Sequence, residues 1–325
     1  GTGAQGLVAT GKNTVLDNSG QLILDGDDSV GLSGVSSTQL SSTGDVRLSG
    51  NHSTGLQAGA FSTVVNAGNL TISGTGSRGI NGDGEAVSLT NTGLVELAGN
   101  GTIGIHADGT GSRVVNTGRI ISIGNGSYGI AVQGDRTVLS NTGSVTTSGA
   151  AGGAVFLSGN DNTLDQSGTL HTTGVNSPAV TLAGNRVRFT QADTGTVETT
   201  GDNSPALVVT ADDARLENRG LVTTRGTGSP GMAVSGHGVT LVNNGTVTTT
   251  GDNSPGVTVS GHRAHVTNEG TVETVGLASG ALSAGNDATV INRGTLTLRG
   301  DAAAALSGGE ATRLTNTGDI RLSGV

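Results

Sequence analysis

The chain contains no cysteine and no tryptophan. Without thiols it can build neither a disulfide framework nor a thiolate metal site, and that absence is neutral between cytosol and export. Aromatics are nearly missing too: three Phe and one Tyr in 325 residues. Any core must therefore be aliphatic. Lys12 is the sole lysine, and sixteen basic residues face 25 acidic ones, for a net charge of −9. An acidic chain with no basic run is a poor ligand for nucleic acid or an anionic membrane surface. No apolar run approaches the length of about 18 residues that a membrane-spanning helix needs, so direct membrane insertion of this segment is not expected. Proline occurs four times. No initiator Met opens the chain, which begins GTGAQG and stops at RLSGV. The expectation is a processed product or a fragment whose targeting signal lies outside it.

What the chain does have is glycine, 59 residues of it. Such a composition can belong to a disordered polypeptide. Register argues otherwise. A unit of about 25 residues repeats thirteen times from end to end, most clearly in Ser229–Asn253 and Ser254–Ala278. A period in this range marks a solenoid, propeller or array. Counting Ser229 as position 1, position 4 is aliphatic or Met in every copy, from Leu7 and Leu32 through Met232 to Leu306. Position 13 runs from Leu16 to Leu314 with Phe189 as its one aromatic, and position 19 from Leu22 to Ile320. Apolar and polar residues alternate around each column, the pattern of a strand with one buried face. Gly fills positions 17 and 23 in all copies, Gly20 to Gly318 and Gly26 to Gly324. Such glycines mark corners that need positive φ or room for backbone.

Three strands and three corners per repeat describe one triangular coil, stacked on the next about 4.8 Å away through parallel pairing. The fold class expected is an all-β parallel β-helix of about thirteen coils, residues 1–325 forming one domain. Position 15 is Asn in ten coils: Asn18, Asn66, Asn91, Asn116, Asn141, Asn218, Asn243, Asn268, Asn292 and Asn316. Ser42, Gln166 and Gln191 take its place elsewhere. An inward Asn at a bend tolerates left-handed φ and bonds its neighbours above and below, so this column reads as a structural ladder.

The recurrent unit N-x-G-x-aliphatic, as in Asn116–Ile120 and Asn243–Val247, resembles the passenger domains of bacterial autotransporters. It is more loosely similar to filamentous-haemagglutinin-type adhesins. The resemblance covers essentially the whole chain. It implies a right-handed parallel β-helix, exported through the outer membrane and either displayed at the cell surface or released. It also implies a larger protein, with a signal peptide and a C-terminal translocator β-barrel outside this sequence that supplies any membrane tether.

Candidate sites are the places where the repeat breaks or stacks reactive side chains. Asp212, His237 and His262 share position 9 of successive coils, with His265 three residues on. A carboxylate and stacked imidazoles suit a divalent transition metal or a pH response, but with no second partner for the imidazoles in view a solvated polar corner is the preferred reading. Ala192 and Asp193 belong to the only insertion, Ala192–Thr194. Tyr128 and Phe156 read as exposed aromatics on a partner surface. Arg299, Gly300 and Asp301 spell a cell-attachment tripeptide, with Gly300 already demanded by the repeat. Pro178, Pro205, Pro230 and Pro255 share position 2, a corner where a missing N–H matters little.

Three GxGxxG matches, including Gly226–Gly231, run into strands, whereas a dinucleotide site needs a helix there. A Thr-rich stretch, Thr246–Thr250, is interrupted by charges in neighbouring coils and does not make an ice-binding plane. No cofactor, metal or catalytic residue is assigned. The function expected is non-enzymatic adhesion, by capture of a host or neighbouring-cell protein or glycan at the bacterial surface. An inert spacer projecting a distal tip, or part of a polysaccharide-degrading β-helix, are the alternatives.

Overall fold

The computed structural model describes residues 1–301 and 303–323. Gly324, the last glycine of the position-23 column, lies outside them. Strands account for all of the regular structure among the described residues, 39 of them, each three to five residues long. Three strands make each coil, as the periodicity predicts. Contacts divide the chain into two compact units, Gly1–Asn162 and Thr163–Val325.

In the first unit each strand pairs in parallel with its equivalent one coil further on. The first sheet contains Arg78–Gly82, Ile103–Ala107 and Tyr128–Val132, with Ile80, Ile105 and Ile130 in register. The second contains Ser88–Asn91 and Arg113–Asn116, and the third Leu94–Leu97 and Arg119–Ser122. The three aliphatic columns point inward. Ile80, Leu89 and Val95, one from each sheet of a single coil, are all fully buried. Each such side chain contributes about 1.5–3 kcal/mol of transfer free energy.

The two glycine columns serve one of their two expected purposes. Neither Gly44 nor Gly74 has positive φ. A Cβ on Gly44 would run into the Gly20 carbonyl oxygen one coil below, and one on Gly74 into that of Gly50. Close coil-to-coil approach excludes a side chain there. The left-handed turns fall elsewhere, on residues such as Asn13, Ser37, His52, Phe61 and Ala151.

The Asn column is a ladder, but its residues are not left-handed; each ends a strand. Asn66 donates Nδ2 to Asn91 Oδ1 at 2.8 Å, Asn91 to Asn116 at 2.9 Å and Asn116 to Asn141 at 2.7 Å. Rungs are side chain to side chain, with carbonyls such as Gly93 O taking a second contact from Asn91 Nδ2.

The second unit repeats this plan, with an Asn ladder from Asn218 through Asn243, Asn268 and Asn292 to Asn316. Its first-sheet strands are only three residues long, as in Leu207–Val209 and Met232–Val234. Proline is the cause where it occupies position 2. In the first unit Tyr128 N–H donates at this position to Thr102 O of the preceding coil. Pro230 and Pro255 have no N–H to give the corresponding oxygens of Ser204 and Ser229.

An inward threonine takes over. Thr199 Oγ1 donates to Ser204 O at 2.5 Å and Thr224 Oγ1 to Ser229 O at 2.6 Å. Thr172 does the same for Ser177, opposite Pro205; Thr249 also bonds Ser254 O, although the next coil there has Gly280 and no proline. A buried hydroxyl thus replaces an apolar side chain, such as Leu97, found at this inner position in the first unit.

Candidate functional site

Ladders consume the interior and the corners, so side chains free to act lie on outer sheet faces. The first sheet of unit Gly1–Asn162 carries the most unusual one. Its fifth position reads Gln57, Asn81, His106, Ala131 and Phe156 in register. Strand alternation turns these side chains away from the core. Even so, Asn81 is 1% exposed and His106 3%.

They are held by a chain of hydrogen bonds. Gln57 Nε2 donates to Asp83 Oδ2 at 2.9 Å, and Asn81 Nδ2 donates to Asp83 Oδ1 at 2.8 Å. An ionised carboxylate only accepts, which orients the Asn81 amide. Asn81 Oδ1 then faces His106 Nδ1 at 2.8 Å. An amide oxygen cannot donate, so His106 Nδ1 carries a proton in that contact.

Burial, and then the nearby Arg78 guanidinium, hold the His106 pKa below its usual 6.5; Asp108 and Asp83 pull the other way. The ring is therefore a neutral imidazole at neutral pH, with a lone pair on Nε2. Asp83, His106 and Asp108 each offer a ligand atom within 4.8 Å of the others. These three are the residues that could hold a divalent cation. On the same sheet, one and two coils further on, the rings of Tyr128 and Phe156 meet, centroids 5.4 Å apart and tilted by 42°. Both rings are half-buried rather than fully exposed. Phe61, at 57% exposure, is the aromatic that stands clear of the surface.

In the second unit the position-9 edge is assembled but occupied. Asn185 Oδ1 accepts from Asp212 N–H, Asp212 Oδ1 from His237 N–H at 2.7 Å, and His237 Nδ1 from His262 N–H at 3.0 Å. Each side chain caps the next coil's backbone, which makes the column a corner ladder. The His237 and His262 rings stack at 5.2 Å. His262 Nδ1 lies 4.0 Å from Asp287 Oδ2. His265 sits on a second-sheet strand, in register with Thr240 and Thr289.

The insertion is stitched down. Ala192 N–H donates to Gln166 O, Gly195 N–H to Ala192 O, and Thr194 Oγ1 to Ser167 O. Gln191 replaces Asn at the same corner and reaches Gly195 O and Leu221 O at 2.8 and 2.9 Å. The longer amide spans the longer turn. Asp193 remains exposed at its tip. In the tripeptide, Arg299 Nε donates to Glu273 Oε1 at 2.7 Å, and a side chain on Gly300 would strike Gly276 O.

Two features escaped sequence reasoning. The His106 network needed register, which places three long polar side chains in one column; that column was visible as Gln57, Asn81, His106 at a position otherwise small or apolar. The second is a pair of arginines, Arg188 and Arg215, directly opposed on adjacent second-sheet strands.

These features define a parallel β-helical scaffold with three strands to a coil. The chain belongs to the family of the BigA third pectate lyase-like domain, whose model matches residues 104–324. Among solved structures, a chain of the Vag8–C1 inhibitor complex is similar at 18% identity and a TM-score of 0.48, over 99% of this chain and 92% of that one. No curated protein matches the sequence.

Proposed function

We propose that this domain is the binding part of a secreted or surface-displayed bacterial protein. It acts without catalysis, as a rigid scaffold that captures a partner on the outer face of its first sheet. The observation that carries this reading is the Tyr128–Phe156 pair, on the same sheet as a buried His106 that Asn81 holds through Nδ1. Aromatic anchors on a fixed backbone lose little freedom on binding, which is where binding energy is otherwise dissipated. The autotransporter-like repeat supports export and display. A host or neighbouring-cell protein or glycan is the partner class.

The test is binding of the fluorescently labelled domain to cultured mammalian cells. Saturable binding in the micromolar range or tighter supports the reading, and its loss after protease treatment of the cells assigns a protein partner. A linear, non-saturating signal would leave the domain as a spacer.

One observation favours a second reading. Asp83 and Asp108 share a site with a neutral imidazole, and paired carboxylates can cleave glycosidic bonds. Release of reducing or unsaturated sugar ends from acidic polysaccharides, abolished by His106→Gln, would replace capture with catalysis.

A further inference from the structure

Arg188 and Arg215 are Cα partners on adjacent parallel strands of the second sheet in unit Thr163–Val325. Both side chains are exposed. Like charges directly opposed across strands are unfavourable, and proteins ordinarily interleave an acid. Here, among the described residues, neither arginine forms an ion pair or side-chain hydrogen bond. Glu217, two residues along the strand from Arg215, is engaged by Arg219 at 2.7 Å. The arrangement is uncommon in a chain of net charge −9.

The two guanidinium groups line an open groove of about 450 Å³ together with Arg186, Val187, Asp213, Gly238 and Thr240. Arg188 and Arg215 against one carboxylate leave it positive. In the same row as Arg188 and Arg215, the next two strands contribute Thr240 and His265.

We infer that this groove binds a linear anionic glycan whose sugar units carry sulfate or carboxylate groups. Guanidinium forks bind either anion bidentately. The arginines repeat along the stacking direction at the strand separation of about 4.8 Å, close to the length of one sugar unit. Asp213 and Thr240 add the acceptor and hydroxyl that sugar hydroxyl groups require.

Other polyanions fit less well. The flanking strands are already paired on both sides, so an acidic peptide cannot add itself through main-chain hydrogen bonds. A nucleic acid needs more phosphate contacts than this arginine pair supplies against the overall negative charge. This surface is separate from the first-sheet site of the other unit, and the inference does not rest on that site.

The experiment is calorimetric titration of the domain with heparin, polygalacturonate and neutral dextran at low and at 0.5 M salt. Saturable binding of heparin or polygalacturonate, absent with dextran and weakened at least tenfold by high salt, is expected; which of the two binds identifies the anion. The Arg188→Ser/Arg215→Ser double variant should lose at least tenfold in affinity while its thermal midpoint holds or rises, since repulsion is relieved. Arg113→Ser removes a lone arginine from the same row of the first unit and should bind within twofold of wild type. No saturable binding of either polyanion overturns the inference. So does equal binding by wild type and the double variant.

Discussion

Replacing Thr224 with Val tests how the second unit compensates for its prolines. The change is nearly isosteric and removes one hydroxyl. In the native fold that hydroxyl donates to Ser229 O at 2.6 Å. The backbone donor that would otherwise serve this oxygen belongs to Pro255, which has none. Ser229 is fully buried, so water does not replace the lost bond. An orphaned buried carbonyl costs about 1–3 kcal/mol. In a solenoid such a penalty is felt by the affected coil and its neighbours, because stability is built from nearest-neighbour terms. Local opening should rise by roughly 5- to 150-fold. Native-state amide hydrogen exchange reads this directly, coil by coil, and a urea titration gives the global effect. The matched control is Thr274→Val. Thr274 occupies the same column, yet its buried hydroxyl has no partner, so its loss should be neutral or stabilising. Equal destabilisation by the two substitutions would refute the reasoning, because both remove the same atoms and differ only in the bond.

Two further outcomes follow from the ladders and the buried imidazole. Asn116→Ala removes a rung bonded to Asn91 at 2.9 Å and to Asn141 at 2.7 Å; a loss of about 2–4 kcal/mol is expected from two interrupted buried bonds, measured by urea unfolding. The folded-state pKa of His106 is depressed, so the unfolded chain binds the proton first as pH falls. Its contribution is present above the unfolded value of 6.5 and is lost as pH drops through the lower folded value. Melting temperature should therefore fall across that window in wild type and fall less in His106→Gln.

Much of the fold was legible because the repeat is an internal alignment. Thirteen copies of Leu, Ile or Val at three positions, with Met232 and Phe189 as the only exceptions, identify the inward face without ambiguity, and the Asn column identifies its ladder. Physical causes were less legible. Gly44 and Gly74 look like turn glycines in the sequence, whereas their backbones turn normally and the limit is a carbonyl one coil away. Phe61 and Arg136 adopt left-handed φ although neither residue type signals it; neighbouring coils impose the corner.

Sites were harder still. Asp212, His237 and His262 stack as their spacing implies, but the Asp212 and His237 side chains are turned to cap the next backbone N–H. No sequence pattern distinguishes that use from metal binding. Conversely, Asp83 and His106 are 23 residues apart and share no motif. Only the coil register brings them together.

The proposed function places recognition on the outer face of the first sheet, at the Tyr128–Phe156 pair. Its most direct test is the cell-binding isotherm of wild type beside the Tyr128→Ser/Phe156→Ser double variant, with Thr274→Val as a folded control. Removing two aromatic anchors should weaken binding by tenfold or more, while the control binds as wild type does. A double variant that stays folded and binds with wild-type affinity would contradict the account.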